Sequence, residues 1–98
     1  MKNIDILAVG DISTDVFIKI NDAEESCDSV SGHCKLCLNF GGKIPYESAE
    51  YCHATGNSSN VAIAASRLGL NSYLASYVGN DSNGKEDILE LQKENVNT

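Results

Sequence analysis

The stretch Ala54-Thr55-Gly56-Asn57-Ser58-Ser59-Asn60-Val61-Ala62-Ile63-Ala64-Ala65-Ser66-Arg67-Leu68-Gly69 has the residue types and spacing of a ligand-binding turn. Gly56 lets the backbone come close to a bound molecule, since no Cβ holds it away. Small polar residues then lead into a helix, in which Val61, Ala64, Ala65 and Leu68 recur at helical spacing. Free N–H groups at a helix start, together with the Asn57 and Asn60 amides, suit hydroxyls or an anion. The alanine-rich turns behind would pack closely on a sheet and hold those amides rigid. An ordinary helix capped by Ser58, Ser59 or Asn60 also accounts for the segment, because such residues are common at any helix start.

Cys27, His33, Cys34, Cys37, Cys52 and His53 form the second group with chemical potential. Cys34-x-x-Cys37 has the spacing of half a zinc knuckle, but Cys52 and His53 are adjacent and Cys27 stands alone. If Lys35 to Phe40 is a strand, side-chain alternation turns Cys34 and Cys37 to opposite faces. Free, reduced thiols and no bound metal are therefore expected. A zinc-stapled interaction domain remains the alternative, and metal analysis of protein prepared without chelator separates the two. Gly41-Gly42-Lys43 lacks the strand-loop-helix setting and the following Ser or Thr of a phosphate loop, so it reads as a bulge or turn.

The elements that must position these residues follow from periodicity. Ile4 to Val9 is a mostly apolar run ended by Gly10-Asp11, the pattern of a strand buried on both faces of a parallel sheet. Val16 to Ile20 alternates and reads as a half-exposed strand. Asn21 to Gly32 is polar and acidic, hence a loop. Lys35 to Ile44 alternates again, with Leu36, Leu38 and Phe40 on one face, and stops at Pro45. Glu47 to Ala54 is a weaker strand candidate. After the helix comes a strand within Asn71 to Val78, then a helix from about Lys85 to Glu94. Asn83 and Glu86 have capping-box spacing there, and Glu86 and Asp87 fall in the first turn. Gly69 stands where a helix C-terminal glycine belongs. Strand-helix-strand at this spacing implies a parallel sheet, and the alternating strands between residues 16 and 54 form a separate small sheet.

The totals set bounds on all this. Ninety-eight residues, 42% of them apolar, allow one small α/β domain. Seven basic against fourteen acidic residues give a net charge of −7, which opposes nucleic acid or an anionic membrane as partner. No apolar run approaches the roughly twenty residues needed to span a bilayer. The N-terminus has no signal-peptide anatomy, so a cytoplasmic location with reduced cysteines is expected.

The order of these motifs closely resembles the ribokinase/PfkB carbohydrate kinase family. The carriers are the glycine-containing turn with its Asn, the Ala-rich helix ending in Leu68-Gly69, the following strand, and Gly79-Asn80-Asp81-Ser82-Asn83-Gly84. Val9-Gly10-Asp11-Ile12-Ser13-Thr14-Asp15 resembles the family's first strand and turn. The resemblance extends over the whole chain, least in residues 21–34. It implies the N-terminal part of a ribokinase-like, doubly wound α/β/α sandwich, with a small β-sheet lid built within about residues 16–54. It implies an ATP-dependent, Mg²⁺-requiring kinase acting on a hydroxyl of a sugar or nucleoside. Carried over by position, Asp15 would accept hydrogen bonds from sugar hydroxyls, Gly56 and Asn57 would line the pocket, and Asn60 would bind a hydroxyl. Ser13 stands where ribokinases proper often carry Asn, and Thr55-Gly56 replaces a frequent Gly-Gly pair. The apolar face Leu36, Leu38, Phe40 would suit the sugar or a homodimer through the lid.

No Gly-Ala-Gly-Asp-type motif, which supplies the family's catalytic base, occurs in these residues, so no catalytic residue is assigned. Phosphoryl transfer depends on positioning and charge stabilisation, and the groups for both are expected outside this segment. A stand-alone sugar- or nucleotide-binding module without catalysis is the other reading; the two differ in whether the gene continues in frame into such a motif. The 98 residues by themselves are expected to be inactive, and ATP-dependent phosphorylation of any sugar by the purified chain would refute this.

Overall fold

The computed structural model describes residues 3–98. The elements in chain order are β1 (Ile6–Val9), β2 (Ser13–Lys19), β3 (Glu24–Cys27), β4 (Cys34–Cys37), β5 (Ser48–Thr55), α1 (Asn57–Arg67), β6 (Ser72–Ala75) and α2 (Ser82–Lys93). Two compact units result: one combines the N-terminal segment up to Asp15 with Tyr51–Thr98, and the other is Val16–Glu50. The arrangement is α/β, with three two-stranded sheets and two helices among the described residues.

In the first unit β1 pairs parallel with β6, Ile6 opposite Ser72 and Val9 opposite Ala75. Asp5 N–H donates to the Asn71 carbonyl (3.1 Å) and Gly10 N–H to that of Ala75 (3.3 Å), extending the ladder at both ends. On the far side of β6, Asn97 forms a parallel bridge with Tyr73, through Leu74 N–H to Asn97 O (2.9 Å) and Asn97 N–H to Ser72 O (3.0 Å). Asn97 thus adds an isolated parallel bridge to the outer side of β6. The expectation that β1 is buried on both faces is corrected: Ala8 is buried, but Leu7 is 54% and Val9 73% exposed. α1 packs against both β1 and β6.

The core joins Ala8, Ala54, Ala62, Leu74, Leu91 and Val96, with Ile12 and Ile63 packed against it. Ser59 and Ser72 are fully buried among them, and Ser72 Oγ donates to the Ala62 carbonyl at 2.8 Å.

Both helices stop by the same device. After the C-cap Leu68, Gly69 (φ 89°) donates to Ser66 O and Leu70 to Ala65 O, a Schellman arrangement. After the C-cap Glu94, Asn95 (φ 56°) donates to Gln92 O and Val96 to Leu91 O. Here Asn takes the left-handed position that glycine fills in α1, and Val96 and Leu91 make the accompanying apolar contact in the core. The helix starts differ from expectation. α1 begins at Asn57 with Gly56 as N-cap and no side-chain cap, so Ser58, Ser59 and Asn60 lie inside the helix. α2 begins at Ser82, not Lys85: Asp81 is its N-cap, accepting the Gly84 N–H at 2.9 Å, and no acidic residue sits in its first turn. The capping box expected from Asn83 is thus replaced by a single N-cap at Asp81, two residues earlier.

The second unit is an antiparallel hairpin of β3 and β4, Cys27 opposite Cys34, with the neighbouring parts of β2 and β5. The expected loop over residues 21–32 therefore contains a strand, and the expected strand over 35–44 ends at Cys37, since Asn39–Gly42 turns with Gly41 at φ 72°. Cys27 and Cys34 are joined as a disulfide, which corrects the expectation of reduced thiols: residues directly opposite across antiparallel strands lie within bonding reach. Cys37 and Cys52 are free and exposed. The described group closest to a metal-ligand set is Glu25, Cys27 and Cys34, whose two sulfurs are already bonded to each other. None of the described helices is long and apolar enough to cross a membrane.

Leu91 is the largest of the fully buried side chains, so Leu91→Ala should cost about 2–5 kcal/mol in urea unfolding followed by far-UV circular dichroism. Leu36→Ala, at an exposed hairpin position, should stay within about 0.5 kcal/mol of the parent. Arg67 holds Glu94 through Nε (2.8 Å) and Nη2 (2.5 Å), and this hydrogen bonding keeps the Glu94 carboxyl below the usual glutamate range. A lowered pKa contributes stability above that range, lost as pH falls through the native value. Glu94→Gln should therefore unfold more easily than the parent at neutral pH, and the difference should close as the pH is lowered.

Candidate functional site

Two backbone turns meet in the first unit, one leaving β1 and one entering α1. Gly10 packs so tightly on Ser58 that a Cβ there would lie 3.0 Å from the Ser58 Cβ. Ser58 Oγ donates to the Asp11 carbonyl at 2.5 Å, crossing from one turn to the other. Gly56 has φ 98° and ψ 162°, a combination open essentially to glycine alone. A Cβ on it would come within 3.1 Å of the Asp11 carbonyl. Thr55 Oγ1 donates to the Ser13 carbonyl (2.8 Å), so Ser13 Oγ is the donor in its 3.0 Å bond to Thr55 Oγ1. Its lone pairs remain free to accept.

These turns enclose an open cavity of about 660 Å³, lined by Gly10, Asp11, Ser13, Gly56, Asn57 and Ser58, with Ala8, Val9 and Val61 as its apolar wall. That volume suits a small ligand. The α1 N-terminus opens here, and its first N–H groups have no side-chain cap. Neutral donors and acceptors thus surround one carboxylate, with no Lys or Arg in the lining. Such a set matches a polyol, which presents both donors and acceptors, better than a polyphosphate.

The five residues singled out in the sequence are not all brought together. Ser13, Gly56 and Asn57 line this cavity. Asp15 lies on β2, exposed, and alternation puts it on the same strand face as Ser13. Asn60 lines a different hollow of about 560 Å³, beside His53, Thr55, Arg67 and Glu94. Along α1, Asn57 and Val61 border the first cavity, and Asn60, Ala64 and Arg67 the second. Sequence reading missed Gly10, Asp11 and Ser58 as lining residues. Gly10-Asp11 was legible as a strand end and family-like turn, and Ser58 as a cap candidate in the glycine turn, but their meeting is a tertiary contact.

A family model described as "pfkB family carbohydrate kinase" matches residues 18–98. Over 46 residues, 47% of this chain, the sequence is 54% identical to "Putative sugar kinase PH1459" of Pyrococcus horikoshii. The match spans 15% of that relative's length. No solved structure matches the chain. With the family model covering most of the chain, and the glycine turn, the Ala-rich helix and the Gly79–Gly84 turn in order, this chain belongs to the pfkB family of carbohydrate kinases.

Proposed function

We propose that this chain supplies the sugar-binding face of an ATP-dependent kinase that phosphorylates a hydroxyl of a sugar or nucleoside. The observation that carries the reading is the cavity in which Ser13, Gly56 and Asn57 converge on an uncapped helix start. In this proposal Asp15 accepts hydrogen bonds from ligand hydroxyls, Ser13 and Asn57 orient a further one, and Asn60, which borders the neighbouring hollow, binds a hydroxyl from the start of α1. Gly56 admits the ligand to the backbone, where a side chain would collide with Asp11. The parallel pairing of β1, β6 and Asn97 is consistent with the start of a doubly wound sandwich, and Val16–Glu50 with a lid.

ATP and Mg²⁺ do not fit this cavity. Its lining offers one carboxylate and no cationic group to balance a triphosphate, so no step of phosphoryl transfer is assigned to these residues. The proposal places that chemistry on other parts of the protein. It also places the protein in the cytoplasm, where ATP is available; the Cys27–Cys34 disulfide is the one observation that weighs against it. Exposed Leu36, Leu38 and Phe40 in Val16–Glu50 are the face proposed for a lid homodimer.

Calorimetric titration of the protein with a panel of aldoses, ketoses and nucleosides should yield at least one saturable ligand. Asp15→Ala and Asn57→Ala should each weaken that ligand about tenfold, the loss of one or two charge-assisted or neutral hydrogen bonds, with little change in unfolding midpoint. Gly56→Ala should weaken it further, through strain as well as access. The absence of any sugar or nucleoside ligand, or unchanged affinity in all three variants, would sink the proposal.

A further inference from the structure

Asp87 is 5% exposed, yet it lies on the buried side of α2 in line with Gly84 and Leu91. Burial alone would favour an apolar side chain at such a position, since a carboxylate withdrawn from water is costly unless donors meet it. Here they do. Thr14 Oγ1 donates to Asp87 Oδ1 at 2.9 Å, the Ala54 N–H donates to the same oxygen at 2.8 Å, and His53 Nδ1 stands 3.3 Å from it. Thr14 Oγ1 is also 3.3 Å from His53 Nδ1, so the three partners form one network within the first unit.

The partners matter for where they sit. Thr14 lies between Ser13 and Asp15 on β2, and side chains alternate along a strand. Anchoring Thr14 inward on α2 turns Ser13 and Asp15 together to the opposite face. Ala54 lies two residues before Gly56 and has φ 54°, a left-handed conformation that a residue with a Cβ adopts only under constraint. Its N–H is held there by Asp87. The turn formed by Ala54 and Gly56 then swings the chain from β5 into α1 and sets Asn57 at the cavity rim.

We infer that Asp87 is a positioning residue: it fixes the Ser13–Asp15 segment and the Ala54–Asn57 turn relative to each other, and so shapes the ligand-binding face from behind. Its bearing on a sugar ligand rests on the function proposed above, whereas its coupling of the two segments does not.

Native-state amide exchange separates a positioning role from a merely structural one. In Asp87→Leu, exchange in residues 12–15 and 53–58 should rise together by tenfold or more relative to β6. In Leu91→Ala, which lowers stability through the core, protection should fall evenly across the unit. Asp87→Asn keeps one oxygen to accept the Ala54 N–H and should loosen the two segments less, which secures the test if the leucine variant fails to fold. At a temperature where each variant is fully folded, affinity for the sugar or nucleoside bound by the parent should drop about tenfold in Asp87→Asn and stay unchanged in Leu91→Ala. Segments that exchange no faster than β6 in both Asp87 variants overturn the inference. So does a loosening of both segments with affinity unchanged. A parent protein that binds no sugar overturns the proposed function instead, and the exchange pattern then decides on the coupling alone.

Discussion

The fold of the first unit depends on how closely α1 can approach the sheet. The face that α1 buries is made of Ser59, Ala62 and Ala65, none with more than a two-atom side chain. That smallness brings the Ala62 carbonyl within reach of Ser72 Oγ, a bond from the middle of a helix to a strand. It also brings the helix start onto the β1 turn, where Gly10 meets Ser58 and Gly56 meets the Asp11 carbonyl. Larger residues on this face would lift the helix and part the two turns that make the cavity. The small interface buries little apolar area, so Leu74, Leu91 and Val96 must supply most of the remainder from β6, α2 and the residues beyond.

Polar bonds take over where apolar area runs short. Arg67 with Glu94, and Ser66 Oγ with the Glu94 carbonyl (2.6 Å), tie the ends of the two helices together. Asp87 ties α2 to β2 and β5 near the other end of that helix. The matching Schellman ends at Gly69 and Asn95 turn the chain back from each helix toward the sheet, delivering β6 and Asn97 as adjacent parallel neighbours.

Much of this was legible in the sequence where one residue type admits one physical role. Helical recurrence of Val61, Ala64 and Leu68, with Gly69 after it, marked α1 and its end; the glycine turn with its Asn, followed by Leu68-Gly69 and Gly79–Gly84, marked the family. What escaped depended on partners distant in sequence. Asp87 looked like a first-turn carboxylate answering the helix dipole, because nothing local shows that Asp81 starts the helix earlier and that Thr14 and Ala54 await it inside. Strand β3 escaped because its residues, Glu-Glu-Ser-Cys, are exposed throughout and carry no alternation to read. Cys27 looked isolated for the same reason: its partner was fixed by hairpin register, not by spacing. Asn60 was grouped with Asn57 by their shared place at the helix start, whereas it borders the neighbouring hollow, whose other walls come from residues distant in sequence.

The pairing of β1 with β6 has a consequence for how the chain acquires its shape. Asn71 meets Asp5 across 66 residues of sequence, whereas Cys27 and Cys34 are only seven apart. Closing a long loop costs more conformational entropy, though only logarithmically, and contacts distant in sequence slow the search for the native state. A hairpin such as β3–β4 forms within roughly microseconds. The parallel sheet must wait until α1 and the whole of Val16–Glu50 have emerged between its strands. During synthesis β1 therefore leaves the ribosome long before its partner exists, and its backbone N–H and C=O groups stay unpaired as an open strand edge until β6 follows.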